Sequence, residues 1–132
     1  METRSNGERR KNFGIQNVPI SYLAVRLRCT RPGLLESVYE ACLVFELEKV
    51  GCKVERQKSL PVRYKGLELD EGFRLDLLVN DAVVVELKCV EKLLPIHEAQ
   101  LYTYLKLSGK RTGLLINFLS KLLKDGIQRI VC

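Results

Sequence analysis

Asp76, Glu86 and Lys88 are the residues of this chain whose types and spacing could do chemistry. Residues two apart on a strand share a face. In Val83-Val84-Val85-Glu86-Leu87-Lys88 the Glu86 and Lys88 side chains therefore point together while Leu87 points away. Asp76, in Arg74-Leu75-Asp76-Leu77-Leu78-Val79, joins them only if it lies opposite Glu86 across a hairpin. Partner numbers must then sum to 162, which sets Val79 opposite Val83 and leaves Asn80 to Ala82 as a three-residue loop. A two-residue loop would turn Asp76 to the other face unless a bulge restored it. Brought together, two carboxylates repel each other and favour a hard divalent cation that takes oxygen ligands and retains waters. Such an ion can hold a phosphate oxygen and acidify water. Lys88 can orient the attacking water or neutralise charge growing at phosphorus. Without a cation, two ionised acids and a lysine on a central strand are costly to bury.

The plain alternative for this triplet is a partly exposed salt bridge at a sheet end. The apolar runs on both sides of the charged residues argue against a surface strand. Two further pairs point to the same place. Glu36 and Tyr39 stand about one turn apart at the start of a helix, where Glu36 could equally serve as a dipole partner. Gln100 and Tyr104, at i and i+4, share one face of a second helix, where Gln100 could equally be solvated.

The elements that must position these groups are legible in the periodicity. Asn17 reads as the cap of a short helix with Pro19 in its first turn and Ile20, Leu23, Ala24 and Leu27 on one face. After Pro32-Gly33 a longer helix is predicted over 34–50, from Leu35, Val38, Tyr39, Cys42, Leu43, Phe45, Glu46 and Lys49, with Gly51 as its left-handed cap. From Cys52 the period falls to two and an extended segment runs to a Lys65-Gly66 turn. Pro61 within it marks an edge strand or a bulge. Strands are predicted over 73–79 and 82–89, apolar on both faces as in the middle of a covered sheet. A helix over 95–107 closed by Ser108-Gly109, a strand over 112–118, a helical turn over 120–124 stopped by Gly126 and a last strand over 127–131 follow. The order is α-β-β-β-α-β-α-β in one domain, 17–132, behind a mobile basic arm, 1–16.

Composition narrows the classes. At 132 residues there is room for one domain with its own core. The net charge of +6 is concentrated early: residues 1–31 hold seven Arg and Lys against two Glu, and the remainder is nearly neutral. A basic arm adds sequence-independent attraction to phosphate backbones, although a solvated tail would look the same. Five cysteines without a C-x-x-C pair, and a single histidine, His97, suit neither a disulfide framework nor a zinc site. No secretory h-region and no run long enough to span a membrane is present, so a cytoplasmic protein with reduced thiols and no membrane partner is expected. Ser108-Gly109-Lys110-Arg111-Thr112-Gly113 leads into a strand, not a helix, and reads as a basic turn rather than a phosphate loop. His97 reads as a helix-surface residue.

Gly33-x-x-Glu36-x-x-Tyr39, Asp76, Glu86-x-Lys88, Gln100-x3-Tyr104 and Gly113-Leu114-Leu115-Ile116-Asn117-Phe118, in this order, resemble the GxxExxY family of small bacterial proteins within the PD-(D/E)XK nuclease superfamily. The resemblance runs from about Pro32 to Val131 and leaves the first 31 residues unmatched. It implies an α/β, restriction-endonuclease-like core: a central mixed β-sheet flanked by helices. It implies Asp76, Glu86 and the Leu87 backbone carbonyl as ligands of Mg²⁺ or Mn²⁺, with Glu36 as a further, water-mediated metal partner. Lys88 is the implied catalytic lysine, with Gln100 and Tyr104 near the substrate phosphate. The expected activity is metal-dependent hydrolysis of phosphodiester bonds in nucleic acid, with DNA as the expected partner. The rival is a catalytically silent module of the same fold that binds nucleic acid or a protein. Whether the chain forms a homodimer is left open by the sequence.

Overall fold

The computed structural model describes residues 14–15, 18–19 and 36–132. Its centre is a five-stranded mixed sheet of order β3-β4-β5-β6-β7, formed by β3 (Val54–Tyr64), β4 (Leu67–Val79), β5 (Val83–Lys88), β6 (Thr112–Asn117) and β7 (Ile127–Val131). Only β5 and β6 run parallel, and the helix α2 (Pro95–Ser108) carries the chain between them, as a parallel pair requires. Helix α1 (Glu36–Lys49) precedes the sheet, and a 3₁₀ turn (Leu123–Gly126) leads into β7. A mixed sheet covered by helices on both faces is therefore the observed fold, and the predicted strand and helix order holds from α1 onward. No helix among the described residues is long and apolar enough to cross a membrane.

Two apolar clusters hold the layers. Tyr39, Leu43 and Leu47 of α1, one turn apart, meet Leu77, Val79, Val83, Val85, Leu114 and Ile116 on one face. Leu101, Tyr104 and Leu105 of α2 meet Leu75, Leu78, Val84 and Leu115 on the other. Each fully buried Leu or Val contributes roughly 1.5–3 kcal/mol, which makes β4 and β5 the rigid middle of the molecule. Val38 and Phe45, placed in the helical stripe by periodicity, are exposed instead, because the face that α1 buries runs through Tyr39, Glu40, Leu43, Val44 and Leu47. Gly51 (φ 93) ends α1 in the left-handed region, as its position after the helix predicted.

At the amino-terminal side β1 (Gly14–Ile15) pairs antiparallel with β2 (Val18–Pro19). Pro19 therefore lies in extended backbone, not in the first turn of a helix. The strand pair uses its fixed φ without asking for the N–H it lacks. The rest of that predicted helix, and the arm over residues 1–13, lie outside the described residues.

The β3–β4 hairpin carries both devices expected around Pro61. β3 is an edge strand, and the register shifts between Leu60 and Val62. A second irregularity was not expected. Val54 packs on the α1 side whereas Leu60 lies on the α2 side; likewise Leu77 and Val79 face α1 while Leu75 faces α2. Strict alternation would hold each pair to one face. Both strands thus exchange faces at one level, that of Gln57 and Asp76.

Candidate active site

The hairpin register places the acids. Val79 pairs with Val83, Leu78 with Val84 and Leu77 with Val85, leaving the three-residue loop that the 162 rule requires. Asn80 and Asp81 both sit at φ 53, the left-handed conformation that short polar side chains tolerate in a tight turn. Beyond Leu77 and Val85 the ladder gives way to side chains. The Asp76 amide donates to Glu86 Oε1 at 3.1 Å, and the Leu87 amide donates to Asp76 Oδ2 at 2.8 Å. Each carboxylate therefore reaches across to the other strand, and the two acids meet where the strands part.

Lys88 follows Glu86 by one strand step. Its Nζ donates to Gln100 Oε1 at 3.2 Å, and Gln100 Nε2 donates to the Tyr104 hydroxyl at 2.9 Å. The i, i+4 pair on α2 thus lies against the lysine. Glu36, in the first turn of α1, is exposed, yet its carboxyl is close enough to feel the charges of Asp76, Lys88 and Glu40. Tyr39 turns the other way, into the core, where its ring stacks on Phe118 with centroids 4.6 Å apart.

Electrostatics mark the spot as short of positive charge. Burial, and then the neighbouring Asp76 charge, push the Glu86 carboxyl up to about 8. Burial also raises Asp76, against the lowering effect of the Leu87 amide. Partial burial and the Asp76 charge raise Glu36, which Lys88 opposes. Burial, followed by the Glu86 charge, raises the Tyr104 hydroxyl. One lysine does not offset the partly and fully buried carboxyls of Asp76 and Glu86 with Glu36 at their exposed margin.

Sequence reasoning missed the support behind Asp76. Glu40 is buried and accepts from Arg56 Nη2 at 2.9 Å and from Gln57 Nε2 at 2.7 Å. Gln57, whose amide also bonds the Asp76 side chain, adopts φ 51 and is absent from the β3–β4 ladder between the pairs Arg56–Leu77 and Lys58–Leu75. A spacing of four from Glu36 was the signal that could have shown Glu40 on the same helix face. Nothing in the local sequence marks Gln57 as left-handed.

Other candidates lie elsewhere. His97 Nδ1 accepts the Leu94 amide at 2.9 Å, so it closes the start of α2. Lys110 pairs with Asp81 at 3.3 Å, which agrees with a basic turn at the other end of the sheet's loops. The thiols of Cys52 and Cys89 are raised by burial, the opposite of an activated nucleophile.

A divalent ion can be tested against this donor set. Among the described residues no three His, Cys, Asp or Glu side chains close into a cluster that could hold an ion by themselves. The set is two adjacent carboxylates, plus a backbone carbonyl. The Leu87 amide faces β4, and in a strand the carbonyl of the same residue faces the same edge. Two acids, one carbonyl and retained water suit a hard cation such as Mg²⁺ or Mn²⁺, whose charge would favour the ionised form of Glu86 that burial and Asp76 oppose.

A protein-family model for the PD-(D/E)XK nuclease superfamily matches residues 20–130. The chain belongs to the PD-(D/E)XK nuclease superfamily. The match begins at residue 20 and so takes in the segment 20–31, which carries none of the recognised motif blocks. Among solved structures, the alkaline exonuclease LHK-Exo from Laribacter hongkongensis is similar. It shares 16% identity over 92% of this chain and 73% of that one, with a TM-score of 0.49. No curated protein matches the sequence.

Proposed function

We propose that this PD-(D/E)XK protein is a Mg²⁺- or Mn²⁺-dependent nuclease that hydrolyses phosphodiester bonds of DNA, and that it falls in the GxxExxY branch. The observation that carries the reading is the crossed pair, Asp76 and Glu86, each bonded to the partner strand, with Lys88 one step away. In this reading Asp76, Glu86 and the Leu87 carbonyl hold the ion, and Glu36 reaches it through water. When bound, the dication supplies charge against the phosphate oxygens and acidifies water.

The chain's own groups do the rest. Lys88 Nζ, steered by Gln100, orients the attacking water and offsets the negative charge gathering at phosphorus. The Tyr104 hydroxyl, fixed by Gln100, stands beside it as a donor to a phosphate oxygen. Incubating a labelled linear DNA and a plasmid with the protein and Mn²⁺ tests the reading. Cleavage should appear with the metal, vanish with EDTA and be lost in Asp76→Ala and Glu86→Gln. Undiminished metal-dependent cleavage in either variant overturns the assignment.

One observation favours a second reading, a module that binds without cutting. Both carboxylates already accept backbone amides, so the pair satisfies itself without an ion. Calorimetric titration separates the two: a saturable Mn²⁺ site lost in Glu86→Gln supports the enzyme, and DNA binding with no metal site supports the module.

A further inference from the structure

We infer that Phe73 is a stacking platform for an unpaired nucleobase of the substrate strand, placed one nucleotide from the phosphate that is cut; this rests on the nuclease reading above. Phe73 is a large apolar side chain left 40% exposed on β4, two residues before the strand enters the core at Leu75. Its ring lies 5.3 Å from that of Tyr104, tilted by 54°, and Tyr104 is the end of the hydrogen-bonded line that begins at Lys88. Phe73 stands three strand steps from Asp76, about 10 Å of chain. That is the span of a nucleotide from its phosphate to its base.

The ring packs against Tyr104, and the backbone beneath it is tightly paired. Phe73 pairs with Leu60, which is buried against α2. The preceding Gly72 lies so close to the Leu60 carbonyl that a Cβ there would collide with it. A pre-seated aromatic with two torsions loses little freedom on binding. It offers a face on which any base stacks, with affinity that does not depend on sequence. A base paired inside a duplex has no free face, so the ligand class is single-stranded or frayed DNA.

The chain contains no tryptophan, so Phe73→Trp places a sole indole at the platform. In EDTA, a single-stranded DNA dodecamer should quench its emission by more than half. A dodecamer of the same backbone with every base removed should leave the emission unchanged. Phe73→Ala should bind the dodecamer about tenfold more weakly, and Phe73→Tyr should restore binding. Equal responses to both strands, or none to either, overturn the platform. The nuclease reading is scored apart from this: loss of Mn²⁺-dependent cleavage in Glu86→Gln with a silent indole rejects the platform alone. Intact cleavage in Glu86→Gln rejects the reading beneath it.

Discussion

Gln57 sits level with Asp76 on the neighbouring strand yet does not pair with it, because its backbone has turned into the left-handed region at φ 51. A non-glycine residue there carries roughly 1 kcal/mol or more of strain. The strain is held by the 2.7 Å bond to buried Glu40. Its product is the exchange of faces that lets Leu75 and Leu77 belong to different clusters while Asp76 stands between them.

Replacing Gln57 separates strain from positioning. Gln57→Ala keeps the unfavourable backbone and loses the amide. Gln57→Gly loses the amide and relaxes the backbone. Glycine should be the more stable of the two by about 1 kcal/mol, while both bind Mn²⁺ about tenfold more weakly than the parent. Thermal melts and calorimetry on the pair check this. Equal melting points would remove the strain.

Stability without metal should fall as pH rises. Burial pushes the Glu86 carboxyl up to about 8 in the folded protein, against the ordinary glutamate value of 4.5 in the unfolded chain. Between those limits the folded state keeps a proton that the unfolded chain has lost. The contribution is therefore whole below pH 4.5 and is lost as pH rises through about 8. The slope approaches about 1.4 kcal/mol per pH unit at most. Urea unfolding in EDTA at pH 5, 6.5 and 8 should show the decline, and Glu86→Gln should flatten it.

The clamp behind Asp76 should respond asymmetrically. Arg56 is half exposed and can turn to water when Glu40 is removed, whereas Glu40 is buried and cannot. Arg56→Ala should therefore cost about 2 kcal/mol and Glu40→Gln about 1 kcal/mol. Denaturant midpoints of the two variants decide the order.

Lys88→Met should lower the cleavage rate on the order of a hundredfold while the melting point moves little. The lysine bonds a helix side chain, not the core. Mn²⁺ affinity should hold or rise, since a positive charge leaves the neighbourhood of the ligands. A variant that cleaves normally would take Lys88 out of the chemistry.

Gly72→Ala should unfold more easily by about 2 kcal/mol, because the added carbon collides with the Leu60 carbonyl, a backbone group and not the end of a flexible side chain. Equilibrium unfolding measures it.

The parts of this architecture that follow from short-range rules were readable in advance. Convergence of Asp76 with Glu86 and Lys88 on one face called for a three-residue loop or a bulge, and the three-residue loop is there. Pro61 announced an edge and an irregular register, and both occur. The α2 cap at Gly109 (φ 72) and the i, i+4 contact of Gln100 with Tyr104 follow in the same way. What escaped depends on partners far along the chain. The left-handed Gln57 is stabilised by Glu40, 17 residues earlier. The buried face of α1 is the one that carries Tyr39 against Phe118, a long-range contact that the hydrophobic count along the helix does not reveal. Pro19 reads well as the opening of a helix but is drawn into a two-residue ladder with Gly14.

β5 is bonded along both edges, antiparallel to β4 and parallel to β6, and it carries Glu86, Leu87 and Lys88 in its last turns of chain. Such a strand opens only when the whole molecule opens. Amide hydrogens of residues 83–87 should outlast nearly all others in deuterated water. Heat should then extinguish any turnover at the same temperature at which the protein melts, with no earlier softening of the centre.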